Sequence, residues 1–247
     1  MSGKISKNAL LLLWCLSMTW LPMIGGCHFK IPYFSEGKPS IPKINKVVVV
    51  GFQSAMSKGE EPGVVRDPIS GAVFMAEPVP HHVVQRMTGI LFDRLVAENR
   101  YELVSPGQAK GAFSSIVYSD LNVGMGPVEI LQEVGKAFAA DVVLTGNLYR
   151  WREREGTDYG VNRPASVAFD LHLVRPADGA VLWKARFDKT QRSLSENLFD
   201  VATFVKGKGR WMTADRLAEI GLKKLLAEMP KGPREDGESE VDSHSSY

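Results

Sequence analysis

The chain has 247 residues, 30 Lys plus Arg against 28 Asp plus Glu, 44% hydrophobic residues and two cysteines. So even a balance offers no clustered basic face for nucleic acid, and two cysteines make neither a disulfide scaffold nor a Cys-rich zinc site. The composition is that of one ordinary globular domain with attachments.

The first 27 residues read as a targeting segment: Lys4 and Lys7 form a positive n-region, Ala9 to Leu21 is apolar, and Gly25 and Gly26 precede Cys27. About 13 apolar residues at about 1.5 Å each reach roughly 20 Å, short of the ~30 Å hydrocarbon core of a bilayer. The stretch therefore suits an export signal better than a permanent span. Ile24-Gly25-Gly26-Cys27 resembles the bacterial lipobox. That resemblance implies a signal peptide of residues 1–26 and a lipidated, palmitate-bearing Cys27 as the mature N-terminus. Loss of the leader removes two lysines and leaves 28 basic residues facing 28 acidic ones. Several acyl chains anchor stably, because each buried CH₂ contributes about 0.8 kcal/mol and one chain alone is marginal. His28 stands where inner-membrane lipoproteins often carry aspartate, so the same resemblance implies an outer-membrane, periplasm-facing address.

Residues 27–43 carry Pro32, Gly37, Pro39, Ser40 and Pro42 and read as a tether. The folded domain is expected over 44–229. Residues 230–247 carry too few apolar side chains to bury and read as a disordered tail. Val47 to Val50 is a continuous β-branched run, as in a strand covered on both faces. Gly59, Pro62, Gly63, Pro68, Gly71, Pro78 and Pro80 punctuate 53–80 too heavily for a long helix, but a short hairpin around Asp67-Pro68-Ile69-Ser70-Gly71 fits. Val83, Val84, Met87, Ile90, Leu91 and Leu95 recur at helical steps over 81–98. Tyr101 to Val104 is a short strand, Ser105-Pro106 opens a helix, Pro127 to Ala140 gives another, and Asp141 to Tyr149 is strand-like.

Val167, Phe169, Leu171 and Leu173 alternate with Ala168, Asp170 and His172, and Val181 to Asp188 alternates likewise. This predicts two half-buried antiparallel strands joined by a turn at Pro176-Ala177-Asp178-Gly179. Thr213 can cap a final helix through Leu217, Leu222 and Leu225 that stops before Pro230. The sum is a single three-layer-like α+β domain with a mixed, partly antiparallel sheet and about four helices, in the order β-α-β-α-α-β-β-β-α.

No catalytic pattern stands out. His28 and His244 fall in the tether and tail, His81 and His82 are sequence neighbours, and His172 lies alone on its strand, so the histidines predict no metal site. Gly124-Met125-Gly126-Pro127 lacks the third glycine of a phosphate loop, and Glu129 in the first helical turn opposes an anion there. No Gly-x-Ser-x-Gly, His-Glu-x-x-His or P-loop pattern occurs. Neither an enzyme nor a cofactor is expected. Two stretches instead combine aromatic and basic residues in the manner of a contact face: Trp151, Arg152 and Tyr159 in 151–164, and Phe204, Lys206, Lys208, Arg210 and Trp211 in 197–211.

The element order, with Val47 to Phe52, the step Ala140-Asp141-Val142-Val143-Leu144-Thr145-Gly146 and the closing hairpin from Phe169 to Phe187, resembles a bacterial lipoprotein superfamily. That superfamily includes the curli-secretion lipoprotein, the lipoprotein activator of penicillin-binding proteins and the N-terminal domain of the Tol periplasmic protein. The resemblance covers about residues 44–229 and implies a non-catalytic envelope module that binds a protein partner or assembles with itself. The long pore-forming hairpins of the curli channel are missing from this sequence, so secretion is not implied. An alternative is an auxiliary component of envelope transport that handles lipid or a small molecule.

Overall fold

Val47 to Val50 forms the heart of β1 (Lys46–Ser54), an interior strand in the computed structural model, which describes residues 43–117, 124–157, 160–191 and 211–231. A hairpin of β2 (Gly63–Arg66) and β3 (Val73–Ala76) follows, then α1 (His81–Glu98), β4 (Glu102–Val104), α2 (Pro106–Val117) and α3 (Pro127–Ala137). β5 (Val142–Arg152), a small hairpin of β6 (Glu155–Gly156) and β7 (Val161–Arg163), β8 (Ser166–Val174), β9 (Val181–Thr190) and α4 (Ala214–Ala227) complete the described chain. The main sheet has the order β4-β1-β5-β8-β9. β1 runs parallel to β4 and β5, whereas β5, β8 and β9 pair antiparallel. The fold is therefore α+β, with four helices among the described residues.

Three of the four helix entries, those of α2, α3 and α4, follow from side-chain bonds at their first turns. Gln108 N donates to Ser105 Oγ at 3.4 Å and Ser105 N returns a bond to Gln108 Oε1 at 3.1 Å, a reciprocal capping box. Gly126 N donates to the Glu129 carboxylate at 2.7 Å, and Arg216 N donates to Thr213 Oγ1 at 3.3 Å. No helix among the described residues is long and apolar enough to cross a membrane.

The sheet is covered on both faces. On one, α1 and α4 pack Met87, Leu91, Leu217 and Leu222 against Val47, Val49, Leu144, Phe169 and Leu171. On the other, Ala109 of α2 and Leu131 and Val134 of α3 cover Val48, Val143 and Val174, while Phe74 and Ala76 of β3 cover Tyr149 and Ala168. These are the three layers. A shift in pairing between Val49 and Gly51 lets Phe52 join the α1 face with Val47 and Val49. Gly51 has φ +86°, and a Cβ there would lie 2.3 Å from Thr88 Cγ2, so α1 can close on β1 only over a glycine. The Thr88 hydroxyl then accepts Phe52 N–H at 2.9 Å.

Two expectations change. β5 continues to Arg152, beyond Tyr149. β8 is buried along its whole length, Asp170 and His172 included. The alternation of polar and apolar residues suggested one solvated face, but that face lies beneath the β2–β3 hairpin. β9, by contrast, is half-exposed as the alternation predicts.

Candidate functional site

The polar residues of β8 lie between the apolar patches made by α2 and α3 at one end of this face and by the hairpin at the other. The predicted turn at Asp67 to Gly71 forms and brings a second acid to them. Asp67 Oδ1 accepts Ile69 N at 3.1 Å, Ser70 Oγ at 2.7 Å and the Ser70 N–H, so the carboxylate organises its own turn. Gly71 supplies the positive φ of +72° that this turn requires. Asp67 Oδ2 accepts Asn147 Nδ2 and the Tyr149 hydroxyl, each at 3.0 Å.

Tyr149 is placed by a break in register between Leu148 and Arg150, which turns both Tyr149 and Arg150 toward the hairpin. The rings of Tyr149 and Phe74 stack with centroids 3.7 Å apart, and the Arg186 guanidinium sits 4.5 Å over the Phe74 ring centroid. Arg150 donates from Nη1 to Met75 O at 3.0 Å and from Nε to Ser166 Oγ at 2.6 Å, and it pairs with Asp188. Arg152 pairs with Glu77 at 2.8 Å. The hairpin is thus held by an aromatic stack, two arginines and Asp67.

A proton count assigns the charge states. The Tyr149 oxygen lies 2.6 Å from Asp170 Oδ2 and 3.0 Å from Asp67 Oδ2, yet a phenol has one proton. Both contacts are full hydrogen bonds only when one carboxyl holds another. Burial pushes Asp170 up to about 7, helped by the nearby Asp67 charge, although bonds from Tyr149 and Asn147 pull the other way. Burial also works to raise Asp67, but the Ser70 and Tyr149 bonds and His172 together carry it below the usual carboxylate value. Below about pH 7 Asp170 accordingly holds the extra proton and donates to Tyr149, which donates to an ionised Asp67; above it the phenol donates to the Asp170 carboxylate. Burial and both carboxylates hold the phenol well above its ordinary value.

His172 is not alone on its strand. Its Nε2 is 3.4 Å from Asp67 Oδ1 and its Nδ1 is 3.7 Å from Asp170 Oδ1. Burial keeps the imidazole neutral by lowering its pKa, against the attraction of Asp67, and Lys184 lowers it further. The three residues have the donor types of a metal site. However, Asp67 accepts five hydrogen bonds, and a cation would have to displace them. The cluster is built as a hydrogen-bond relay. Beside it, a pocket of about 430 Å³ opens between the hairpin turn and β9, lined by Ser70, Phe74, Asp170, His172, Lys184 and Arg186.

Of the residues singled out as a contact face, Arg152 holds the hairpin through Glu77, and the other described ones lie elsewhere. Trp151 packs against the core on the α1 face, with the Arg86 guanidinium 5.6 Å from its ring centroid. Trp211 is half-exposed, and its carbonyl accepts Arg154 Nη1 at 2.6 Å. Cys27, Tyr159, Phe204, Lys206, Lys208 and Arg210 lie outside the described residues, as do residues 27–42 of the tether and 232–247 of the tail. Sequence reasoning did not find Asp67, Asn147, Tyr149 and Asp170 as a cluster. The available signal was two polar residues on a strand flanked by apolar neighbours, next to a punctuated segment long enough to cover them.

No protein-family model matches the chain, and no curated protein matches it. Solved structures do. The LpoB C-terminal domain from Escherichia coli is 15% identical over 62% of this chain and 87% of its own, with a TM-score of 0.35. Lipoprotein GNA1162 from Neisseria meningitidis is 14% identical over 65% of this chain and 90% of its own, with a TM-score of 0.37. The PelC dodecamer from Paraburkholderia phytofirmans is 17% identical over 77% of this chain and 91% of that one, with a TM-score of 0.39. Each of these is a structural similarity at low sequence identity.

Proposed function

We propose that the protein is a lipid-anchored, periplasm-facing lipoprotein of the outer membrane whose domain binds or assembles with an envelope protein and carries out no catalysis. The observation that carries this reading is the outward face of the β2–β3 hairpin. Val64 and Met75 stand opposite each other in register and are 69% and 57% exposed, and Val73 beside them is 46% exposed. Three aliphatic side chains on one face of a hairpin whose other face is fastened down make an apolar contact surface. The lipobox at Cys27 supports the anchoring, and Trp151, Arg152, Tyr159, Phe204, Lys206, Lys208, Arg210 and Trp211 form the second proposed contact region.

The test is photo-crosslinking in intact cells from a probe placed at 64, 75 or 211, with exposed position 110 on α2 as control. The expected result is one reproducible envelope adduct from 64 and 75 that is absent from 110. Val64→Lys with Met75→Lys should abolish it while leaving the far-ultraviolet spectrum unchanged. Adducts equal at all positions, or none, overturn the reading.

A further inference from the structure

The pocket beside the relay has its own chemistry, independent of the hairpin's outer face. Its floor is β8 and one wall is β9, where Arg186 stands opposite Asp170 in register and Lys184 opposite His172. Both cations are exposed. Arg66 adds a third charge at the turn, donating from Nη1 to Gly71 O at 2.9 Å. The acids nearby cancel these charges only in part. The Asp67 carboxylate is buried and turned into five hydrogen bonds, Asp170 is buried and bonded to Tyr149 and Asn147, and Asp188 is shared between Arg150 and Arg186, the latter at 3.7 Å. The mouth is therefore electropositive.

The floor has an unmet requirement. The His172 imidazole is 1% exposed, yet its Nδ1 has no hydrogen-bond partner, and a polar atom buried in this state costs about 1–3 kcal/mol. In the neutral tautomer that keeps its proton on Nε2, 3.4 Å from Asp67 Oδ1, Nδ1 is a bare acceptor. A ligand that meets both features carries an acid group for Lys184 and Arg186 and a hydroxyl that donates to His172. About 430 Å³ lies within the range of small-molecule sites.

We infer that the pocket between the 70–72 turn and β9 binds a small hydroxylated anion of the acidic-sugar class, a sugar carboxylate or a sugar phosphate, through Lys184, Arg186 and His172. Isothermal titration calorimetry on the full chain in detergent tests this with glucuronate, glucose 6-phosphate, neutral glucose and inorganic phosphate. The expected result is saturable binding of at least one acidic sugar, at least tenfold tighter than glucose and than inorganic phosphate. Lys184→Ala with Arg186→Ala, both on exposed positions of an edge strand, should weaken that binding at least tenfold. His172→Phe, checked for an unchanged melting profile, should bring the acidic sugar down to the level of inorganic phosphate. Lys184→Ala alone provides the charge test if the double variant fails to fold. No saturable binding of either acidic sugar overturns the inference, as does glucose binding equally well or an affinity indifferent to loss of the two cations. Inorganic phosphate binding as tightly as the acidic sugars overturns the role given to His172.

Discussion

Asp170→Asn isolates the proton that the relay holds. The side-chain amide can donate to the Tyr149 oxygen and still accept Asn147 N–H, so it mimics the protonated carboxyl at nearly constant volume. In the folded protein Asp170 is 2% exposed and titrates near 7, against an ordinary value of 3.8. An acid whose folded value is raised binds more protons folded than unfolded across that interval, so its contribution to stability falls as pH rises from 3.8 to about 7 and is level above. At ~1.4 kcal/mol per pH unit this amounts to roughly 4 kcal/mol over the interval. His172 acts oppositely, because its lowered value makes stability fall as pH drops below the ordinary 6.5. Asp67 acts below both, losing its contribution as pH falls beneath the ordinary 3.8. Both residues remain in the variant, so subtraction removes their shared part. Urea denaturation followed by tryptophan fluorescence at pH 4.5, 5.5, 6.5, 7.5 and 8.5 should show the variant gaining on the parent by ~1.4 kcal/mol per unit up to about pH 7, then no further. A stability difference that stays constant from pH 4.5 to 8.5 refutes the shared-proton reasoning.

Tyr149→Phe removes the hydroxyl between the two carboxyls and leaves each one hydrogen bond short, so denaturation at pH 7 should show a loss of about 1–3 kcal/mol although the Phe74 ring stack is kept. Gly146→Ala would place a Cβ 2.4 Å from the Asp170 backbone carbonyl and 2.8 Å from Phe52 Cε1, contacts that side-chain rotation alone cannot relieve. The expected cost is about 1–3 kcal/mol, read as a lower melting temperature in calorimetry, and an unchanged Tm would show that β5 and β8 yield there. Glu102→Ala, which breaks the Lys46 pair at 2.8 Å with the glutamate side chain 68% exposed, should change stability by less than about 1 kcal/mol. A larger loss would show that the short edge strand β4 depends on that charge.

Much of this fold is visible in local pattern. The helical spacing of Val83, Val84, Met87, Leu91 and Leu95 and the β-branched run of β1 are signals of a single element. The turn at Asp67 is equally local, since an aspartate side chain bonding two and three residues ahead needs nothing from the rest of the chain. Burial of Asp170 and His172 is different. Period-two alternation separates the two faces of a strand but does not say whether the polar face meets water or another layer. Here a hairpin about 100 residues earlier in the chain covers it, as the bond from Tyr149 to Asp67 across 82 positions shows. The extra residue at Tyr149 is likewise invisible in composition, because the same side chain in regular register is an ordinary strand tyrosine.

The placement of the polar cluster explains why the hairpin needs more than apolar contact. Its strands are four residues each, and its buried aliphatic and aromatic contribution comes mainly from Phe74 and Ala76. A pair of strands this short has little independent stability, and hydrophobic contact is non-directional, so it does not by itself select one seating on the sheet. Asp67 supplies the missing direction: Oδ1 accepts from its own turn while Oδ2 accepts from Asn147 and Tyr149. A slide of one residue would leave Asp67 buried and charged without those two donors, at a cost of several kcal/mol. The same lock keeps Val64 and Met75 facing outward and holds Ser70 at the wall of the pocket. Loosening it should therefore disturb the outer contact face and the pocket together, whereas Lys184→Ala should affect the pocket alone.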